Sequence, residues 1–325
     1  MKNRLEPLSL TRILDRAFAL YRARVGPFAL VALPAVLLML LLHLADDLWL
    51  HSHRSANTGY LPGQIMLEVL IYIAYSQIAS LPHMFLMPAL CRLGSAQLFE
   101  EPMGLRTLWA GWRARWGRNL RLALLRFAVV VLGADAAGVA LLAGIGLWDD
   151  VTNTMGHLGN VAIFSILSIP LIFGIVCTLW LGARTALAIP AAELEQLPAW
   201  AAIRRSWRLT RGSALRIALA WFAVFAFALA VTWSVSYTGY WAYRLIFPHV
   251  AAHMALYNGY RIAMPALNVA VACLVAPLYP IVVTLLYYDV RIRREALDLE
   301  RMIEEAVPVV ASADSGEGED ATDPA

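Results

Sequence analysis

The sequence predicts an all-α fold: an integral membrane six-helix bundle built from three pseudo-repeats, each an amphipathic interfacial helix followed by a transmembrane hairpin. Three observations lead there. Sixty per cent of the 325 residues are hydrophobic, which is more apolar surface than a soluble domain of this size can hide. Six stretches are apolar over about 20 residues each, the length a helix needs to cross a hydrocarbon core about 30 Å thick. One short phrase also recurs at near-equal spacing, as YRARVG at 21–26, WRARWG at 112–117 and WRLTRG at 207–212.

The chain opens with an amphipathic helix expected over about 9–25. Leu10, Ile13, Leu14, Ala17, Phe18 and Tyr21 fall at helical spacing, Arg12, Asp15, Arg16 and Arg22 take the other side, and Ser9 suits an N-cap. Spans are expected at about 27–45, 69–91, 127–148, 161–183, 217–243 and 262–288. Further cytoplasmic helices are expected at about 103–117, with Leu105, Leu108, Trp109, Trp112 and Trp116 as the apolar stripe, and at about 197–211, with Leu197, Trp200, Ile203 and Trp207. In each copy of the phrase the glycine is expected to let the backbone turn from the surface helix into the next span. The even-numbered spans carry Pro82 and Pro88, Pro170, and Pro277 and Pro280, so bends are expected in them. A last helix over about 291–306 follows, completing a membrane domain over 1–307. Residues 308–325, rich in Gly, Ser, Ala and acid, read as a disordered acidic tail.

Charge sets the orientation. The first apolar run lacks a cleavage pattern, so it is expected to stay in the protein. Of 26 Lys and Arg, 23 fall before the first span, between spans two and three, between four and five, or after six. By the positive-inside rule both termini are then cytoplasmic, in a bacterial inner membrane. Arginine on the three elbow helices suits phosphate headgroups, and Arg22, Arg113 and Arg208 are the residues expected to meet anionic lipid or a protein partner. Nucleic acid is not an expected partner.

Among Asp, Glu, Lys and Arg, only Asp135 falls within the expected spans, with Gly133 and Gly138 beside it. An acid at that depth faces the bundle interior, either as a functional group or as an interhelical clasp, and Gln77 and Asn268 are polar residues at similar depth. His51, His53, His157, His249 and His253 fall in the expected outer loops without an HExxH or CxxC anchor, so no metal site and no cofactor are expected. The three cysteines all lie in apolar runs and predict no disulfide. No phosphate-binding loop, nucleophile elbow or catalytic triad is legible, so the chain is not expected to be an enzyme.

The phrases ILDRAFALYRARVGPF at 13–28, AAIRRSWRLTRG at 201–212 and TLLYYDVRIRREALDLE at 284–300 together resemble the membrane-domain family of glycerophosphoryl diester phosphodiesterase. The resemblance implies a multi-pass bacterial membrane protein. The phosphodiesterase barrel fused to some members opens on His-Arg-Gly, whereas His53-Arg54 is followed here by Ser55, so the barrel's activity is not implied. Two functions follow as expectations: a scaffold or accessory component contacting lipid and a partner through its cytoplasmic face, or a transporter or channel for a small or amphipathic solute with Asp135 at its path.

Overall fold

A computed structural model describes residues 8–54, 81–129, 172–174, 176–246 and 254–295. Among the described residues every regular element is a helix. In chain order they are α1 (Leu10–Ala23), α2 (Val25–Arg54), α3 (81–98), α4 (Leu105–Ala114), α5 (116–129), α6 (176–185), α7 (Ala188–Leu194), α8 (Ala199–Leu209), α9 (Ala214–Ile246), α10 (Met254–Val275) and α11 (Leu278–Glu295). Four described stretches are long and apolar enough to cross a bilayer: Val25–Leu42, Ile172–Leu194, Ala214–Leu245 and Ala263–Glu295. Nearly all of the expected third span, with Asp135, lies outside the described residues, as do the first part of the second span, Gln77, His157, His249, His253 and the tail.

Helix α1 starts where its sequence says it should, because the Ser9 hydroxyl accepts from Arg12 N–H at 3.3 Å. Each copy of the recurring phrase bends at its fourth residue. Arg24 interrupts α1–α2, Arg115 interrupts α4–α5, and a turn beginning at Thr210 separates α8 from α9. This corrects the role expected of the glycines. Gly26 and Gly117 lie inside the helix that follows, where an added Cβ would meet nothing within 4 Å, and only Gly212 has a positive φ, +75°. In the first two copies the hinge is therefore an arginine leaving helical geometry, with φ −145° at Arg24 and −114° at Arg115.

Prolines act at a fixed offset. The ring of a helical proline clashes with the carbonyl four residues back. The α6/α7 break falls at residues 186–187 ahead of Pro190, and the α10/α11 break at residues 276–277 ahead of Pro280. Pro88, in contrast, leaves α3 unbroken, and Pro34 and Pro265 sit inside α2 and α10. Two further boundaries differ from expectation. Residues 46–54, expected as an outer loop, continue α2 as helix, and α10 begins at Met254 in place of a loop running to 261.

Helices α3 and α11 run side by side in the same direction. Cys91 Sγ meets Pro280 O at 3.8 Å, and one turn on, Ser95 Oγ and the Tyr288 hydroxyl share a 2.7 Å hydrogen bond. Gly94 lies at the contact, where a Cβ would meet Ile281 and Thr284 at an ordinary packing distance of 3.8–3.9 Å. The core is continuous from Ile13, Ala17 and Phe28 through Leu90 and Leu98 to Ile281, Val283 and Tyr287, all buried. Around it, α2 packs on α10 and α10 on α9. The outward faces of α2 and α9, with Leu30, Leu37, Leu41, Phe222, Phe225 and Trp233 exposed, suit lipid rather than water.

The stripes of α1, α4 and α8 face protein. Ile13, Ala17 and Tyr21 of α1, Leu108 of α4, and Ala202, Ile203 and Leu209 of α8 are buried in the core. Trp112 donates its indole N–H to Phe85 O at 3.2 Å and packs edge-on against the Phe85 ring. Trp116, Trp200 and Trp207 remain exposed.

Candidate functional site: an arginine and carboxylate cluster at one end of the bundle

The helices α3, α7 and α11 reach one end of the bundle together, and the turns into α5 and α9 lie there too. Four acids, Glu193, Glu195, Asp289 and Glu295, meet arginines here. Glu193, near the end of α7, has a side chain only 2 % exposed, and it accepts from three arginines. Arg115 Nη2 meets Oε1 at 2.6 Å, Arg92 Nη1 meets the same oxygen at 3.3 Å, and Arg118 Nη2 closes on Oε2. Gly111 of α4 lies against them, since a Cβ there would sit 3.2 Å from Arg115 Nη2. Burial lowers the Arg118 pKa, with Glu193 pulling the other way and Arg115 and Arg92 adding to the depression.

Two residues on, Glu195 joins a second group. Tyr287 donates its hydroxyl to Glu195 at 2.5 Å, Arg205 Nε donates to Glu195 Oε2 at 3.0 Å, and Arg205 also pairs with Glu295 at 2.5 Å. Arg291 Nε reaches Glu295 at 2.9 Å. Burial alone would lower the Arg205 pKa, but hydrogen bonds to Glu295 and Glu195 outweigh it and hold the guanidinium more firmly protonated than usual. This group ties α8 to α7 and α11.

The third group is centred on Asp289, whose side chain is 0 % exposed. It accepts the Leu8 backbone N–H at 2.7 Å, pairs with Arg216 at 3.0 Å and with Arg293 at 3.1 Å. Both arginines also donate to Leu8 O. The entry to α1 is thereby clamped between α9 and α11.

Of the residues expected to face lipid or a partner, Arg22, Arg113 and Arg208 are all exposed, on α1, α4 and α8. None of them has an acidic side chain within 4 Å among the described residues. Asn268, expected as an intramembrane polar group, accepts from the Ser236 hydroxyl at 3.1 Å and links α9 to α10. Arg126 on α5 is buried and donates to the Tyr279 hydroxyl at 2.8 Å. No group of three metal-ligating side chains occurs among the described residues.

Residues 160–307 match the membrane domain of glycerophosphoryl diester phosphodiesterase. That match covers α6 to α11, and so contains Glu193, Glu195, Arg205, Arg216, Tyr287, Asp289 and Glu295. With the apolar helices it makes the chain a membrane protein. No catalytic barrel appears in the match to this membrane-domain family. No curated protein and no solved structure matches the chain.

The three acids that organise this end do not stand out in the sequence, where bases dominate the segments between spans. A signal was present: Glu193 and Glu195 follow Pro190 within AIPAAELEQLP, and Asp289 follows IVVTLLYY, apolar but for Thr284. An acid embedded in apolar sequence next to a basic stretch is a candidate buried ion-pair partner.

Proposed function

We propose that the chain is a non-catalytic, multi-pass scaffold or accessory protein of a bacterial inner membrane, its lipid- and partner-binding face at the arginine-rich end. The observation that carries this reading is a division among the arginines. One set, including Arg92, Arg115, Arg118, Arg205 and Arg216, ties the end together through the buried acids Glu193 and Asp289 and the half-buried Glu195 and Glu295. Another, Arg22, Arg113 and Arg208, stays exposed on α1, α4 and α8. Exposed tryptophans at 116, 200 and 207 accompany them, and Trp with Arg at a bilayer boundary is the composition of a headgroup-binding surface. In this reading the end is cytoplasmic, both termini lie on that side, and six spans arise from three repeated elbow-and-hairpin units.

The test uses the full chain in nanodiscs of mixed phosphatidylcholine and phosphatidylglycerol. At about 1 kcal/mol per basic residue near an anionic surface, replacing Arg22, Arg113 and Arg208 together by Gln should weaken phosphatidylglycerol enrichment around the protein by about a hundredfold. Equal enrichment for wild type and triple variant removes the lipid-facing role. A transporter reading draws support from the proline-linked breaks at residues 186–187 and 276–277. Its test is solute flux in liposomes, which Asp135→Asn should abolish.

A further inference from the structure

Charge does not balance around Glu193. Three guanidinium groups, Arg92, Arg115 and Arg118, surround one carboxylate, and no other described acid pairs with them. Nor do the hydrogen-bond donors balance. Arg115 Nε, Arg118 Nε and Asn119 Nδ2 are buried with no partner, although Asn119 itself is 1 % exposed. Arg118 Nη2 lies 3.4 Å from Asn119 Oδ1, which leaves the amide nitrogen of Asn119 as a donor beside the guanidinium pair. Three unpartnered donors thus fall within five residues of chain, in a cluster of net charge +2, and their chemistry suits a negative group that accepts several hydrogen bonds. A buried donor left empty is destabilising, and a charged one more so.

We propose that the α4–α5 elbow binds a phosphate group, held by Arg115, Arg118 and Asn119 with Arg92 at its edge. A phosphate oxygen set fits this chemistry, because guanidinium groups take phosphate bidentately and a tetrahedral anion accepts from several directions at once. Glu193 is the internal competitor: its carboxylate already holds one N–H face of each arginine, which orients them and at the same time weakens the site for a second anion. The residues differ from the exposed arginines of the proposed lipid-binding face, so the site stands whether or not that face is correct. The phosphate arrives either as free phosphate or as the headgroup phosphate of a lipid lying against the elbow.

The experiment uses the full-length protein in a maltoside detergent, which carries no phosphate of its own. Thermal unfolding is followed against inorganic phosphate or against a short-chain phosphatidylglycerol, each at ionic strength matched with chloride. Bound phosphorus in the purified protein is measured alongside. Wild type should shift to a higher unfolding midpoint with phosphate-bearing probe, and chloride alone should not reproduce the shift. Asn119→Leu, similar in size and without the donor, should weaken the response about tenfold. Glu193→Gln, which removes the competitor, should tighten it. A response to inorganic phosphate identifies a free-anion site, whereas a response confined to the lipid, with phosphorus retained through purification, identifies a headgroup site. Equal responses of wild type and Asn119→Leu to both probes, with equal bound phosphorus, overturn the proposal.

Discussion

Glu193→Ala is the perturbation that probes the architecture most directly. Its carboxylate is 2 % exposed, against 34 % for Arg92, 22 % for Arg115 and 15 % for Arg118. The Arg92 contact, longest at 3.3 Å and most open to solvent, contributes least. The other two are short, partly buried and charge-assisted, each worth about 1.5–3 kcal/mol net. Removing one partner of a buried pair costs about 3–5 kcal/mol, since the charges left behind are stranded. The two routes agree on a loss of about 3–5 kcal/mol, or a fall of roughly 10 °C in unfolding midpoint. Fluorescence-detected thermal unfolding of the detergent-solubilised protein reads it. Glu101→Ala, at an exposed acid in the α3–α4 loop, is the control and should change stability by less than about 0.5 kcal/mol. A loss below about 1 kcal/mol for Glu193→Ala, the level of a surface ion pair, refutes the claim that this carboxylate is the keystone of the end.

Asp289→Asn should release the chain before α1, seen as faster amide exchange and protease cleavage near residues 8–12, because Arg216, Arg293 and the Leu8 N–H all converge on that carboxylate. Tyr287→Phe keeps the ring in its core position and removes one hydrogen bond to Glu195, so a loss of about 1–2 kcal/mol is expected in the same unfolding assay. Ile13→Ala distinguishes a helix packed on protein from one floating on lipid. At 0 % exposure it should cost about 2–5 kcal/mol, and a near-neutral result would place that stripe against the bilayer.

Much of the helical pattern was open to reading from the chain. Period-3.6 apolar spacing is a local property, so Ile13, Ala17 and Tyr21 identified the buried stripe of α1, and Ser9 its cap. What that stripe faces is not local. The same Leu and Trp pattern serves a helix on lipid and a helix on protein, and here α1, α4 and α8 turn it largely toward the core. The glycines of the recurring phrase misled because backbone permissiveness is needed only where φ is positive, as at Gly212, while arginine suffices at a hinge with negative φ. Ion-pair partners were the hardest to foresee. Arg118 and Glu193 are 75 residues apart, Arg205 and Glu295 are 90, and Leu8 and Asp289 are 281. No periodicity reports a pairing at such separations.

Those separations have a bearing on biosynthesis. Arg92, Arg115 and Arg118 leave the ribosome before Glu193 exists, and Leu8 waits for Asp289 until almost the whole chain has been made. The early segments therefore gain the partner seen in the folded chain only when the later ones come alongside. A chain ending after α5 would hold Arg92, Arg115 and Arg118 without the carboxylate that joins them.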